Sequence, residues 1–147
     1  MRAGRDRGPL IRDAGPDDAP AVAELLGQLG YPAEADAVRR RLERLAAAGD
    51  RVVVAELAGE VVGLASLHVS PSLEYDEPAA KLAALVVAET YRGTGVGRAL
   101  VQAMEAEARS RGCRAFFLTS AERRADAHAF YRRIGLEETG RRFAKTL

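Results

Sequence analysis

The sequence predicts a mixed α/β fold, with a twisted, mostly antiparallel sheet of about six or seven strands and helices on both faces. Short strand-like segments alternate with amphipathic helical stretches along the chain. Two strand-like segments flank Ala58-Gly59, a connection typical of an antiparallel hairpin. A buried strand, Leu82 to Val87, runs through a glycine turn into a helix from Gly95 to Arg111. The fold therefore combines a meander with one strand–turn–helix unit.

The N-terminal third of the chain contains one predicted strand and two predicted helices. Leu10 to Arg12 is the strand. The first helix follows Asp17, a suitable N-cap residue, and ends at Gly30. The second helix begins at about residue 32 or 33 and ends at Gly49. This pair of helices is expected to cover part of the sheet.

The rest of the chain supplies the remaining strands and one more helix. The hairpin strands are Arg51 to Leu57 and Glu60 to Val69. The segment after them, Ser70 to Pro78, contains two prolines and three acids, so it is expected to be a loop. A strand over Ala115 to Thr119 and a helix over Ala125 to Ile134 come next. Two short strands are predicted to close the chain, Glu137 to Thr139 and Arg141 to Lys145.

Composition and charge exclude several classes of function. The 22 basic and 21 acidic residues leave a net charge of +1 without a block of like charge, so neither a nucleic acid nor a membrane partner is expected. No apolar run approaches the roughly 20 residues of a membrane span, and a soluble cytoplasmic protein is expected, with a flexible end over 1–8 and one domain over 9–147. Cys113, His68 and His128 form no metal-binding motif, so no metal is expected.

The glycine turn is the clearest candidate for a binding site. Gly93, Gly95 and Gly97 stand at alternate positions directly before a helix, where backbone N–H groups and the helix dipole favour a phosphate or pyrophosphate. The dinucleotide fingerprint would need glycine at the position of Arg98, and the P-loop motif is absent. Arg92 and Arg98 flank the turn and can each bind a phosphate oxygen. The alternative is a tight turn without a ligand.

Two motifs resemble those of the GNAT superfamily of N-acetyltransferases. The segment Arg92-Gly93-Thr94-Gly95-Val96-Gly97, followed by Arg98, resembles the acetyl-CoA signature of that family, and A-H-A-F-Y-R-R-I-G-L resembles its C-terminal motif. The resemblance extends from about Leu10 to the end of the chain. It implies an acetyl-CoA-dependent N-acetyltransferase in which two central strands splay apart to admit the pantetheine arm. It also implies that the backbone of Leu85, Val86 and Val87 binds that arm, with the Val86 N–H on the thioester carbonyl.

Tyr131 is the residue expected to carry chemistry. The resemblance implies that this tyrosine is the general acid, and a phenol that is protonated at neutral pH can give a proton to a departing thiolate. The alternative is a core residue, because Ala127, Phe130, Tyr131 and Ile134 have the spacing of a buried helical stripe. The family often has asparagine seven residues before the tyrosine. Arg124 stands there instead and could contact a phosphate or face water.

A general base is less clearly indicated. His68 and Glu74 precede the central strand and are the candidates, although a lone histidine in S-L-H-V also suits an ordinary strand position. The acceptor is expected to be the primary amine of a small molecule. The segments G-L-A-S-L-H, E-R-R-A-D-A-H-A-F-Y and R-F-A-K-T-L resemble the aminoalkylphosphonate N-acetyltransferase branch.

Three other interpretations of the chain stay open at this point. One is a protein N-terminal or lysine acetyltransferase, which would share the cofactor site. Another is a non-catalytic acyl-CoA-binding or sensory module, although a retained proton donor at Tyr131 favours an enzyme. The third, a nucleic-acid-binding domain, is opposed by the balanced charge. A homodimer formed through the C-terminal strands is also predicted, by resemblance to the family.

Overall fold

One sheet organises the molecule. A computed structural model describes residues 8–119 and 125–147. Within these residues, the first four strands pair antiparallel in chain order and the fifth adds parallel to the fourth. The mostly antiparallel sheet of the prediction is thus confirmed, but it has five strands among the described residues where six or seven were expected. The strands are β1 (Leu10–Asp13), β2 (Arg51–Leu57), β3 (Glu60–Ser70), β4 (Ala79–Val87) and β5 (Ala115–Phe117).

Helices cover both faces of this sheet, as predicted. On one face, Leu100 and Met104 of the third helix are buried against Leu67 and Leu82. On the other face, the first two helices pack over Val86 and its neighbours. None of the helices in the described part of the chain is long and apolar enough to cross a membrane. The helices are α1 (Ala19–Leu29), α2 (Ala35–Ala47), α3 (Val96–Ser110) and α4 (Ala125–Arg133).

The central strand β4 is buried from both sides, which explains its uninterrupted apolar sequence. Leu82 faces the core under α3, whereas Val86 faces the core under α1 and α2. A bulge interrupts the β3–β4 ladder, because Ser66 pairs with Ala84 while the next residue, Leu67, pairs with Leu82. The residue left over, Ala83, is exposed at this kink.

The parallel ladder between β4 and β5 is short. It joins Ala79–Lys81 to Ala115–Phe117 and extends no further, although the sequence predicted a strand reaching Thr119. From Leu82 onward, the edge of β4 that faces β5 has no ladder partner among the described residues. The expected splay between these two strands is therefore present, and it leads directly toward the glycine turn.

The predicted closing pair of strands, Glu137 to Thr139 and Arg141 to Lys145, is not formed in the described structure. Residues 136–147 have no helix or strand assignment, and the Phe143 side chain is 92% exposed. An isolated two-stranded hairpin is only marginally stable unless it packs on other elements. The segment has no other element to pack on among the described residues, and β5 remains a three-residue edge strand.

Candidate active site

The glycine turn joins β4 to α3 and has the backbone that only glycine adopts without strain. Gly93 has φ 77° and Gly95, the N-cap of α3, has φ 92°. A Cβ added at either position would meet no other atom within 4 Å. The glycines are therefore required by the backbone conformation, and the space above them is open. An open cradle of backbone at a helix N-terminus fits the pyrophosphate of an acyl-CoA.

Hydrogen bonds hold the turn in this shape. The Tyr91 N–H donates to the Ala88 carbonyl oxygen at 2.8 Å, and the Thr94 hydroxyl donates to the Tyr91 carbonyl oxygen. From α1, the side-chain oxygen of Gln28 accepts the Glu89 N–H at 2.9 Å. The Thr94 side chain is thus engaged within the turn, so its expected contribution to binding falls to its backbone. Nothing in the sequence marked Gln28 for this role.

Two cations border the turn and have no charged partner in the described part of the chain. The Arg92 and Arg98 side chains are exposed, and neither forms a side-chain hydrogen bond or an ion pair with the residues that the structure describes. The first N–H groups of α3, beginning at Val96, also lack intrahelical acceptors, as at any helix start. Positive charge and free donors therefore converge on one place. This arrangement is suited to bind an anion with several oxygens.

Gly97 is required by packing rather than by its backbone conformation. A Cβ at this position would lie 3.2 Å from Phe130 Cζ and 3.5 Å from Val87 Cγ2. Phe130 belongs to α4, so the missing side chain lets α4 approach the first turn of α3. The third glycine of the motif thereby brings the C-terminal motif to the glycine turn.

Tyr131 follows the residue that makes this contact. Its ring lies 5.7 Å from that of Phe130, between centroids, with 58° between the ring planes. Phe130 and Ile134 pack against the core under α3, and Tyr131 is half-buried beside them. The helix that carries Tyr131 thus lies next to the glycine turn. Arg124, the other predicted residue of this region, lies outside the described residues.

The backbone of β4 presents its N–H groups alternately to two neighbours. The Ala88 N–H donates to the Val62 carbonyl oxygen of β3 at 2.8 Å. Successive residues in a ladder turn their N–H groups to opposite sides, so the Val86 N–H also faces β3. Leu85 and Val87 turn theirs toward the gap beside β5. The ladder therefore favours Leu85 and Val87, rather than Val86, as backbone donors to a bound arm.

The two candidate bases differ in their surroundings. His68 lies on β3, and its Nδ1 is 2.6 Å from Asp50 Oδ1. Glu74 is fully exposed in the loop before β4, where its own backbone N–H and the Ser72 hydroxyl lower the pKa of its carboxyl. A carboxylate with a lowered pKa is a weaker base, whereas a histidine held by a carboxylate is a common catalytic arrangement. Asp50 was not singled out by sequence, because its contact forms across two strands.

Known proteins are similar to this chain in sequence and in fold. The acetyltransferase (GNAT) family model matches residues 19–136. An aminoglycoside N(6')-acetyltransferase type 1 of Stenotrophomonas maltophilia is 38% identical over 138 residues, covering 90% of this chain and 89% of that protein. An aminoalkylphosphonate N-acetyltransferase of Salmonella typhimurium is 38% identical over 89 residues, covering 60% of this chain and 58% of that protein.

A solved structure supports the same assignment. An acetyltransferase of Trypanosoma brucei superposes with a TM-score of 0.82 at 27% identity, covering 95% of this chain and 99% of that one. The family match spans both motifs identified in the sequence, the glycine turn and the C-terminal motif. The open cradle, the unpaired arginines and the splayed strands fit the same cofactor. The chain belongs to the GNAT family and is an acetyl-CoA-dependent N-acetyltransferase.

Proposed function

We propose that this enzyme acetylates the primary amine of a small molecule by direct attack of the amine on acetyl-CoA. The observation that carries the proposal is a path along the edge of β4 and the glycine turn to Arg92 and Arg98, which the described residues leave unpaired. The turn and both arginines bind the pyrophosphate. The N–H groups of Leu85 and Val87 bind the arm along β4.

The reaction requires a base, a donor to the carbonyl oxygen and an acid. Acetyl-CoA supplies an acetyl thioester with an electrophilic carbonyl carbon. The acceptor nitrogen, once deprotonated, attacks this carbon, so that a C–N bond forms and the C–S bond breaks. A β4 backbone N–H stabilises the negative charge that develops on the carbonyl oxygen. The Tyr131 phenol gives its proton to the departing sulfur and regains one from the nitrogen through solvent.

The base is assigned to His68 rather than Glu74. The contact with Asp50 holds one ring nitrogen of the imidazole and orients the other. Glu74 already accepts two hydrogen bonds, which stabilise its ionised form. We expect His68→Gln to lower turnover, and the loss to shrink at high pH, where the acceptor amine is already deprotonated and needs no base.

Small molecules are favoured over proteins as acceptors. The relatives with 38% identity bear names that specify an aminoglycoside and an aminoalkylphosphonate, both small amines. A protein N-terminal or lysine acetyltransferase is the second candidate, since it would use the same cofactor site.

We also propose that the enzyme is cytoplasmic and forms a homodimer. The exposed C-terminal segment with Phe143 is the surface through which we expect dimerisation.

Replacement of Tyr131 by phenylalanine tests the assigned acid. We expect turnover at saturating substrate to fall by about 100-fold, the usual loss for a general acid, while the Kd for acetyl-CoA changes less than about threefold. Calorimetric titration gives the affinity, and thiol release gives the rate. Tyr31→Phe is the matched control, because Tyr31 is exposed in the α1–α2 connection, and this variant should keep the full rate.

The two measurements separate the possible failures. An unchanged rate in Tyr131→Phe would remove Tyr131 from the acid role and leave the enzyme assignment standing. A loss of acetyl-CoA affinity together with a loss of thermal stability would instead indicate a packing role for the phenol. Acetylation of peptides in preference to every small amine would overturn the proposed acceptor class.

A further inference from the structure

A row of side chains crosses the sheet where the β4–β5 ladder ends. The register pairs His68 of β3 with Lys81 of β4, and Lys81 with Phe117 of β5. Asp50, directly before β2, joins the row through its contact with His68. Residues that pair directly across strands project from the same face of a sheet. These four side chains, called here the cross-strand row, therefore form one continuous surface.

This row lies on a part of the sheet that no helix covers completely. The neighbouring residues Leu67 and Leu82 point to the opposite face, into the core under α3. The row is thus on the face of α1 and α2, whose core contacts lie further along the strands. The His68 side chain is 48% exposed and Phe117 is 43% exposed. A molecule approaching from solvent can therefore reach the row.

A buried hydroxyl adjoins the row on the same face. Ser66 stands two residues before His68 on β3, pairs with Ala84 and is only 9% exposed. Its hydroxyl makes no hydrogen bond to the residues that the structure describes. A buried hydroxyl without a partner costs about 1–3 kcal/mol, so such groups commonly have a ligand or water as partner. The surface thus includes a polar atom that is available to a substrate.

Lys81 is the cation of this surface, and it is half-buried. It forms no ion pair within the described part of the chain. The carboxylate of the row, that of Asp50, is held by His68, and Glu74 of the preceding loop is held by Ser72. An ammonium flanked by an aromatic ring and left without a carboxylate attracts an anionic group.

We infer that the cross-strand row and Ser66 form the acceptor subsite, and that Lys81 binds an anionic group carried by the acceptor amine. The inference rests on the proposed function, because it requires the acetyl group to reach the inner end of the splay. The ladder ends at Lys81 and Phe117, so an acceptor held there lies beside the open edge of β4. The substrate class is a small amine that also carries a phosphonate or a carboxylate.

Matched acceptors and variants test this subsite. Thiol release is measured with 2-aminoethylphosphonate, β-alanine, ethanolamine and ethylenediamine, on wild type, Lys81→Met and Lys81→Arg. We expect wild type to prefer the two anionic amines, and Lys81→Met to raise their KM about tenfold or more while the KM for ethanolamine and for acetyl-CoA stays the same. Lys81→Arg should restore much of the affinity. Lys145→Met, at the chain's only other lysine, should behave as wild type.

The comparison of phosphonate with carboxylate identifies which anion is bound better. Calorimetric binding of 2-aminoethylphosphonate to the protein saturated with CoA repeats the test without turnover. Equal binding by wild type and Lys81→Met, or a wild-type preference for ethylenediamine, would overturn the inference and leave the acetyltransferase function intact. Failure to acetylate any small amine would overturn the proposed function, and the binding measurement would still decide the role of Lys81.

Discussion

Arginines in two regions of this enzyme have opposite surroundings. In β1, Arg12 makes two hydrogen bonds to the Asp18 carboxylate, at 2.8 and 2.9 Å, and a third to Glu56 at 3.0 Å. Around the glycine turn, Arg92 and Arg98 have no such partner among the described residues. The same residue type thus stabilises the fold in one place and is left available for a ligand in the other.

The partnered arginines connect elements that are distant in sequence. Arg12 joins β1 to the start of α1 and to β2. Arg51 forms ion pairs with Asp13 of β1 and with Glu107 near the end of α3. These contacts lie away from the glycine turn and hold the sheet to its helices. A function in binding is therefore better inferred from missing partners than from the presence of arginine.

The largest expected effect comes from a change in the glycine turn that leaves the ion pairs of Arg12 and Arg51 intact. Valine at position 95 must adopt φ near 92°, a strained conformation that costs about 1–3 kcal/mol locally and places a side chain in the cradle. We expect Gly95→Val to abolish acetyl-CoA binding in calorimetry while circular dichroism still shows a folded protein. Gly140→Val is the control, because Gly140 has neither a positive φ nor a close neighbour. Wild-type affinity in Gly95→Val would contradict the assignment of the turn.

The next largest effect comes from a change in the ion pair between Arg12 and Asp18. Asp18 is nearly buried, and it accepts hydrogen bonds from Arg12 and from the Gly15 N–H at 2.7 Å. Asp18→Asn should therefore lower the free energy of unfolding by about 2 kcal/mol without changing acetyl-CoA affinity. Asp36→Asn removes an exposed ion pair within α2 and should change stability by less than about 0.5 kcal/mol. Equal stability of the two variants in urea unfolding would show that Asp18 stabilises the fold no more than the exposed Asp36 does.

A smaller effect concerns a single unpaired cation. Arg98→Met should weaken acetyl-CoA binding about tenfold and reduce the dependence of affinity on salt, since one charge contact to phosphate is lost. Its free energy of unfolding should stay within about 0.5 kcal/mol of wild type. Arg109→Met, at the far end of the same helix, should leave both quantities unchanged. If Arg98→Met retained full affinity, the arginine would have no role in binding.

The smallest effect is a dependence of stability on pH. The hydrogen bonds from Arg12 and Gly15 hold the pKa of the Asp18 carboxyl below its ordinary value. The folded state therefore favours the ionised form, and this stabilisation is complete above about pH 4 and is lost as pH falls through the lowered pKa. The free energy of unfolding of wild type, measured with urea, should fall on acidification below about pH 4 more steeply than that of Asp18→Asn. Parallel pH profiles would show that Asp18 does not contribute.

Local chemistry made much of the fold predictable. The hairpin at Ala58-Gly59, the end of α1 at Gly30 and the strand–turn–helix unit depend on glycine conformations and on apolar spacing, which sequence reports directly. The closing strands were predicted wrongly for a related reason. Two short segments around Gly140 form a stable pair of strands only if they pack on another surface, and the segments themselves do not reveal that surface.

Part of the candidate site could likewise be predicted from the sequence, and part could not. The glycine turn, its flanking arginines and the motif with Tyr131 could be recognised in the sequence, because each consists of consecutive residues. The availability of their groups depends on tertiary contacts: the β4 ladder turns the Val86 N–H to β3, and Gly97 leaves room for Phe130 of α4. It also brought Asp50, His68, Lys81 and Phe117 into one row. Their proximity depends on strand register, which is fixed by packing across the sheet and not by neighbours along the chain.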